Sequence, residues 1–158
     1  SSSRMTRHIS PLGKHGMSIA ECVLLDTHAL LWWHAAQPDQ TPPERISGSA
    51  WKQITAVSCV LVSPISCWEV AMLVGKERVR LDRPTAAWIH DVLATDGIGV
   101  AELTPGIAVA AAELADFHGD PADRFLYATA RLLDVPLLSK DPLLHGYAET
   151  DRTVTVIW

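Results

Sequence analysis

The stretch CVLLDTHALLWWHAA, Cys22 to Ala36, decides the fold. Its first four residues are an unbroken apolar run closed by an acid, Asp26, which is how a strand buried on both faces reads. From Thr27 onward the apolar residues return at helical spacing, so the chain passes from strand to helix across one carboxylate. A carboxylate that ends a buried strand is costly without a partner, and this marks Asp26 as a candidate for chemistry.

Working outward, the same alternation recurs. CVLVS (Cys59 to Ser63) reads as a second strand, IGVAEL (Ile98 to Leu103) as a third, PLLS (Pro136 to Ser139) as a fourth and TVTVI (Thr153 to Ile157) as a fifth. Between them fall helical segments: a short one over Ser49 to Ala56, one that starts after Ser63 and closes at Gly75, one over Thr85 to Ala94 with Trp88, Ile89, Val92 and Leu93 on one side, an alanine-rich one from Pro105 to Leu114, and one from Asp123 to Leu133. Strands alternating with helices imply an α/β fold whose central sheet is mainly parallel. In such sheets ligands bind beyond the carboxyl ends of the strands, near the point where strand order reverses.

The chain has 158 residues, 48% of them hydrophobic, enough for one compact domain with a sizeable core. A net charge of -5 and a pI near 5.7 exclude a molecule coated in basic residues, so an anionic substrate must be gripped locally. Cys22, Cys59 and Cys67 are odd in number, lie in apolar surroundings and lack zinc-site spacing, and are expected to be reduced core thiols. No apolar run approaches the ~20 residues of a membrane span, which points to a cytoplasmic protein. Residues 1 to 16 are polar, with three Lys or Arg residues, two histidines and no apolar period, and are expected to be a flexible tail or an expression remnant; 17 to 158 are expected to be a single domain.

Three further acids sit in equivalent words: Glu69 in SCWEVAMLV, Asp123 in DPADRFLYATA and Asp141 in LLSKDPLL. Asp120 with Pro121, and Asp141 with Pro142, also suit helix caps, and Asp123 would then fall in the first turn. Glu69 is different. Pro64 makes Ser63 the N-cap of its helix, so Glu69 lies in the second turn, beyond the free amides, among apolar neighbours. Four carboxylates brought together repel, and such a cluster makes sense chiefly around a divalent cation; all-oxygen ligation selects Mg2+ or Mn2+ over zinc. The histidines are scattered and form no competing site.

Taken together, LLDTHALLWW, SCWEVA, DPADRFLYATA and LLSKD resemble, in order and spacing from about Cys22 to Trp158, a PIN-domain protein, and specifically the toxin of the VapBC type of toxin–antitoxin pair. The resemblance implies a three-layer α/β/α sandwich with a central sheet of four to five strands. It also implies an endoribonuclease whose acids bind Mg2+ or Mn2+, with Asp26, Glu69, Asp123 and Asp141 as catalytic metal ligands and Asp120 as a supporting or competing acid. Ser139 stands where threonine is usual and keeps a hydroxyl able to bond a carboxylate. With water as the nucleophile the 2′-OH is not required, and a 5′-phosphate product is expected.

Substrate contacts are expected from Arg124, Lys140, Ser139 and Thr27, and from Lys76, Arg78, Arg80 and Arg83 of the charged connector after Gly75. Adjacent Trp32 and Trp33 can hardly both face one core, and one is a candidate for a partner groove. The resemblance supplies the partners: RNA, a cognate VapB-like antitoxin covering the acid site, and a second copy of the chain. Two readings compete: the same fold binding RNA or antitoxin without turnover, and a DNA nuclease on this scaffold. A haloacid-dehalogenase-like phosphatase would need a second Asp two positions after Asp26, where His28 stands.

Overall fold

The first strand, β1 (Cys22–Leu25), is fully buried and forms the centre of the sheet in this computed structural model, which describes residues 21–34, 45–117 and 119–158. It is followed by α1 (Thr27–His34), α2 (Gly48–Ala56), β2 (Cys59–Val62), α3 (Pro64–Gly75), α4 (Thr85–Leu93), β3 (Ile98–Val100), α5 (Pro105–Ala112), α6 (Pro121–Leu133), β4 (Leu137–Leu138), α7 (Pro142–Asp151) and β5 (Val156–Ile157). The five strands run in the order β3-β2-β1-β4-β5 and every pairing is parallel. The α/β class and the parallel sheet expected from the alternation are therefore present. Residues 1 to 16 lie outside the described residues.

Successive strands move outward from β1 to β3, and the chain then returns to the other side of β1 for β4 and β5. Strand order reverses between β1 and β4, where diverging connections leave a crevice at the carboxyl ends. Pairing of Leu24 with Leu137 and Leu25 with Leu138 brings the next residues, Asp26 and Ser139, side by side at that crevice.

The pleat of β1 divides the core. Cys22 and Leu24 pack with Tyr127, Leu126 and Leu144 on one face; Val23 and Leu25 pack with Ala29, Leu30, Ala50, Trp88 and Val92 on the other. Helices α1, α2 and α4 thus cover one side and α6 and α7 the other, giving three layers. Cys22 and Cys59 are buried and Cys67 half-buried, all of them reduced.

Three strands are shorter than the apolar runs suggest. β3 ends at Val100, although the Ala101 amide still bonds to the Val62 carbonyl at 2.9 Å, and β4 and β5 have two residues each. An apolar run reports burial, whereas a strand also needs a neighbour in register, and the two can differ in length. Both Trp32 and Trp33 pack, half-buried, against the cluster on the α1 side. Among the described residues no helix is long and apolar enough to cross a membrane.

Candidate active site

Asp26 follows β1 directly, is 7% exposed, and is held at both oxygens. Oδ1 accepts the Ala29 amide at 2.8 Å, so Asp26 itself caps α1, and Oδ2 accepts the Ser139 hydroxyl at 2.5 Å. Burial raises its pKa, the two hydrogen bonds and His28 oppose that rise, and Glu69 adds to it.

Ser139, fully buried after β4, also accepts the Asp141 amide at 3.0 Å, so one hydroxyl links two of the acids. Its carbonyl meets His145 Nε2 at 2.7 Å, a contact from the first turns of α7 that the sequence reading did not assign. Asp141 caps α7, accepting the Leu143 amide at 2.9 Å.

On α6, Asp120 is the N-cap and accepts the Asp123 amide at 2.9 Å. Burial, followed by the charges of Asp120, Asp141, Glu69 and Asp26, pushes the Asp123 carboxyl up to about 8. Each charge that acts most strongly on it is another carboxylate. Glu69 lies in the second turn of α3, whose N-cap is Ser63, accepting the Ile65 amide at 3.1 Å; it is half-buried and its field reaches both Asp26 and Asp123. The acids from four distant words therefore share one electrostatic neighbourhood.

Among the described residues, no three acidic, histidine or cysteine side chains stand in mutual ligating geometry. The donor set nevertheless fits a hard divalent cation: every donor is oxygen, and every charge acting strongly on Asp123 is another carboxylate. Asp26 is fixed by its two hydrogen bonds, so closing a ligand shell falls to the side chains of Glu69 and Asp123.

Three of the expected substrate contacts have other employment. Arg124 donates to the Ala111 carbonyl at 2.8 Å and the Phe117 carbonyl at 2.8 Å, and its guanidinium lies 5.6 Å from the Phe117 ring centre. It fastens the α5–α6 loop, and as a half-buried cation beside two free carbonyls it satisfies groups that no helix or strand serves. That loop is tight: a Cβ on Gly119 would stand 2.3 Å from the Phe117 ring and 3.2 Å from the Asp123 Cβ. Ser139 orients acids, and Thr27 is buried with its hydroxyl 3.3 Å from the Ser66 hydroxyl, tying α1 to α3. Lys140 alone of the four is exposed, with its ammonium 5.9 Å from the Trp32 ring centre.

Comparison with known proteins agrees with this architecture. Residues 23–149 match the PIN domain. The chain is 36% identical over 135 residues to Ribonuclease VapC22 of Mycobacterium tuberculosis, covering 85% of this chain and 97% of that protein. In fold it is similar to a chain in the structure of VapBC2 from Rickettsia felis bound to a promoter DNA fragment, with a TM-score of 0.59, 11% identity, and 86% and 97% of the two chains covered. It is also similar to a chain of a toxin–antitoxin complex from Klebsiella pneumoniae, with a TM-score of 0.55, 14% identity, and 86% and 96% covered. With a parallel 3-2-1-4-5 sheet, an acid at each expected position and a relative matched along nearly its whole length, this chain belongs to the PIN-domain family and, within it, to the VapC-type proteins.

Proposed function

We propose that this chain is the toxin of a type II toxin–antitoxin pair, an endoribonuclease that hydrolyses RNA phosphodiester bonds with Mg2+, or Mn2+ in its place, and is inhibited by a cognate antitoxin. The observation that carries the reading is the gathering of Asp123 with acids from three other parts of the chain at the crevice where strand order reverses, where burial and their charges push its carboxyl up to about 8. A fold gathers uncompensated acids at such a place to bind a cation. Kinship to a protein named a ribonuclease supplies the substrate class, and the toxin–antitoxin complexes among its structural relatives supply the partner.

In this reading Asp26, Glu69, Asp123 and Asp141 hold the ion, and Asp120 supports Asp123 by capping α6. Bound there, a divalent ion would supply positive charge and Lewis acidity for attack of water on phosphorus. The chain itself supplies orientation. Ser139 and the Ala29 amide hold the Asp26 carboxylate in one pose, and the Ser139 hydroxyl ties the Asp141 backbone to it. Water adds to phosphorus as the bond to O3′ breaks, leaving a 5′-phosphate on one fragment and a 3′-hydroxyl on the other. The protein acts in the cytoplasm, where its RNA and antitoxin are, and works as a homodimer as implied by its family.

One observation favours a binding module without turnover: the absence of ready ligating geometry among the described acids. Cleavage of end-labelled tRNA, rRNA and mRNA fragments and matched DNA, by wild type and Asp26→Asn, in Mg2+, Mn2+ or EDTA, tests the proposal. Metal-dependent RNA cuts with 5′-phosphate ends, lost in the variant, are expected. A 2′,3′-cyclic phosphate product, or equal cutting by the variant, refutes it, and preferential DNA cleavage would replace the substrate.

A further inference from the structure

Beside the acid site, α1, Arg45, the connector from Arg78 to Arg83 and Trp88 of α4 enclose an open groove of about 610 Å³. We propose that this groove is a subsite for single-stranded RNA, taking nucleotides that flank the scissile bond; the assignment rests on the ribonuclease reading for its choice of nucleic acid.

Charge is the first argument. A chain of net charge -5 places four arginines, Arg45, Arg78, Arg80 and Arg83, around one groove. Arg83 is held by Asp82 at 2.8 Å and by Asp91. No carboxylate among the described residues pairs with Arg45, Arg78 or Arg80, all of them exposed. Concentrating unpaired guanidinium groups on an acidic protein is unfavourable unless a polyanion occupies the space between them.

The second argument is the aromatic wall. His28, Trp32, His34 and Trp88 all line the groove, and the pair His34 and Trp88 is locked edge to face at 5.2 Å. Trp32 is braced by the Trp158 edge at 5.6 Å. Trp88, 6% exposed, is the buried floor, whereas the rings of His28, Trp32 and His34 share the groove with guanidinium groups, and such a surface suits nucleotides, whose phosphates meet the cations while bases meet the rings. An acidic peptide would satisfy the arginines and leave the rings without a partner. An RNA duplex would satisfy the charges and present no free bases.

Position is the third. His28, two residues after Asp26, lines the groove, while Lys140, next to Asp141, sits by the Trp32 ring. Groove and acid site are thus joined along the first turns of α1, as they must be if one strand passes through both.

The test uses the full chain in EDTA, so that binding is read without turnover. Its probes are a fluorescein-labelled unstructured RNA oligonucleotide, the same RNA as a duplex, and labelled polyglutamate. Arg78→Ala/Arg80→Ala is compared with a charge-matched variant, Lys52→Ala/Arg152→Asn, and each is checked for an unchanged melting temperature. The groove variant is expected to lose about tenfold in affinity for the single strand, the scale of two exposed charge contacts. Its slope of log affinity against log salt should fall by about 1.4, at ~0.7 per phosphate contact. Equal losses in both double variants, unchanged RNA affinity in the groove variant, or a loss confined to polyglutamate or to the duplex would overturn the proposal. If the groove variant fails to fold, Arg80→Gln alone is measured, with about half the slope change expected. Groove-dependent binding without cleavage by wild type in Mg2+ would leave the subsite standing and remove the nuclease reading; cleavage with no groove dependence would do the reverse.

Discussion

The Ser139 hydroxyl donates to the Asp26 carboxylate at 2.5 Å across 113 positions of sequence, joining the ends of β1 and β4 at the point where strand order reverses. With both residues almost fully buried, this bond sets which way Asp26 faces. Removing the hydroxyl as Ser139→Ala is expected to lower kcat/KM for RNA cleavage by about 10–100-fold, the usual effect of losing a group that orients a metal ligand. A higher Mg2+ requirement should accompany the loss, and Ser139→Thr should restore most of it. Wild-type rates for Ser139→Ala at every Mg2+ concentration would remove the orienting role.

Asp123 gives a pH signature. Its folded-state pKa, about 8, lies above its ordinary value of 3.8, so the folded chain keeps a proton that the unfolded chain releases between those values. This contribution to stability is fullest at acid pH and declines as pH rises through about 4 to 8. In EDTA at pH 8, Asp123→Asn is expected to melt higher than wild type, by roughly 2–4 °C for ~1 kcal/mol, while losing cleavage activity. Mg2+ should raise the wild-type melting temperature more at pH 8 than at pH 5, because the ion competes with that proton. A variant that melts below wild type at pH 8 would show that the acids do not repel.

Arg124→Ala should act on stability. Two carbonyls lose a charged donor and Phe117 loses its cation, for a cost of about 2–3 kcal/mol. Urea unfolding measures this. A substitution that left the midpoint unchanged and weakened RNA binding would return Arg124 to the substrate.

Asp151, at the end of α7, gives a second pH signature of opposite sign. Asp151 loses some solvent, which opposes ionisation, but hydrogen bonds from Thr153, Tyr127 and Arg131 outweigh this and hold its carboxyl at about 2. Being lowered in the folded state, it contributes stability that is complete above the ordinary carboxylate value and is lost as pH falls from about 4 to 2. Asp151→Asn should cost on the order of 1–2 kcal/mol at pH 7 and much less at pH 2, measured by thermal unfolding across that range. Equal losses at both pH values would mean that packing, not charge, is at stake.

Much of the site was legible in the words themselves. Asp26 ending an apolar run, and Pro64 displacing Glu69 from the helix N-terminus, are local facts of spacing and backbone chemistry, and both acids lie where that chemistry requires. The assignment between Asp120 and Asp123 was not legible, since both suit the first turn of a helix. It is the capping bond from Asp120 to the Asp123 amide that separates an exposed cap from a half-buried acid.

The sequence by itself determined the alternation of buried strands and helices, the N-caps, and which acids interrupt apolar surroundings, because these follow from periodicity and from the cost of placing a charge among hydrocarbons. Only the tertiary structure decided who the partners are. Parallel pairing of β1 with β4 put Ser139 on Asp26, the turn of the α5–α6 loop gave Arg124 two carbonyl partners, and the fold of the connector against α1 gathered arginines into a groove. Those contacts join residues far apart along the chain, and hydrogen bonds and Coulomb forces act through space, which no local pattern records.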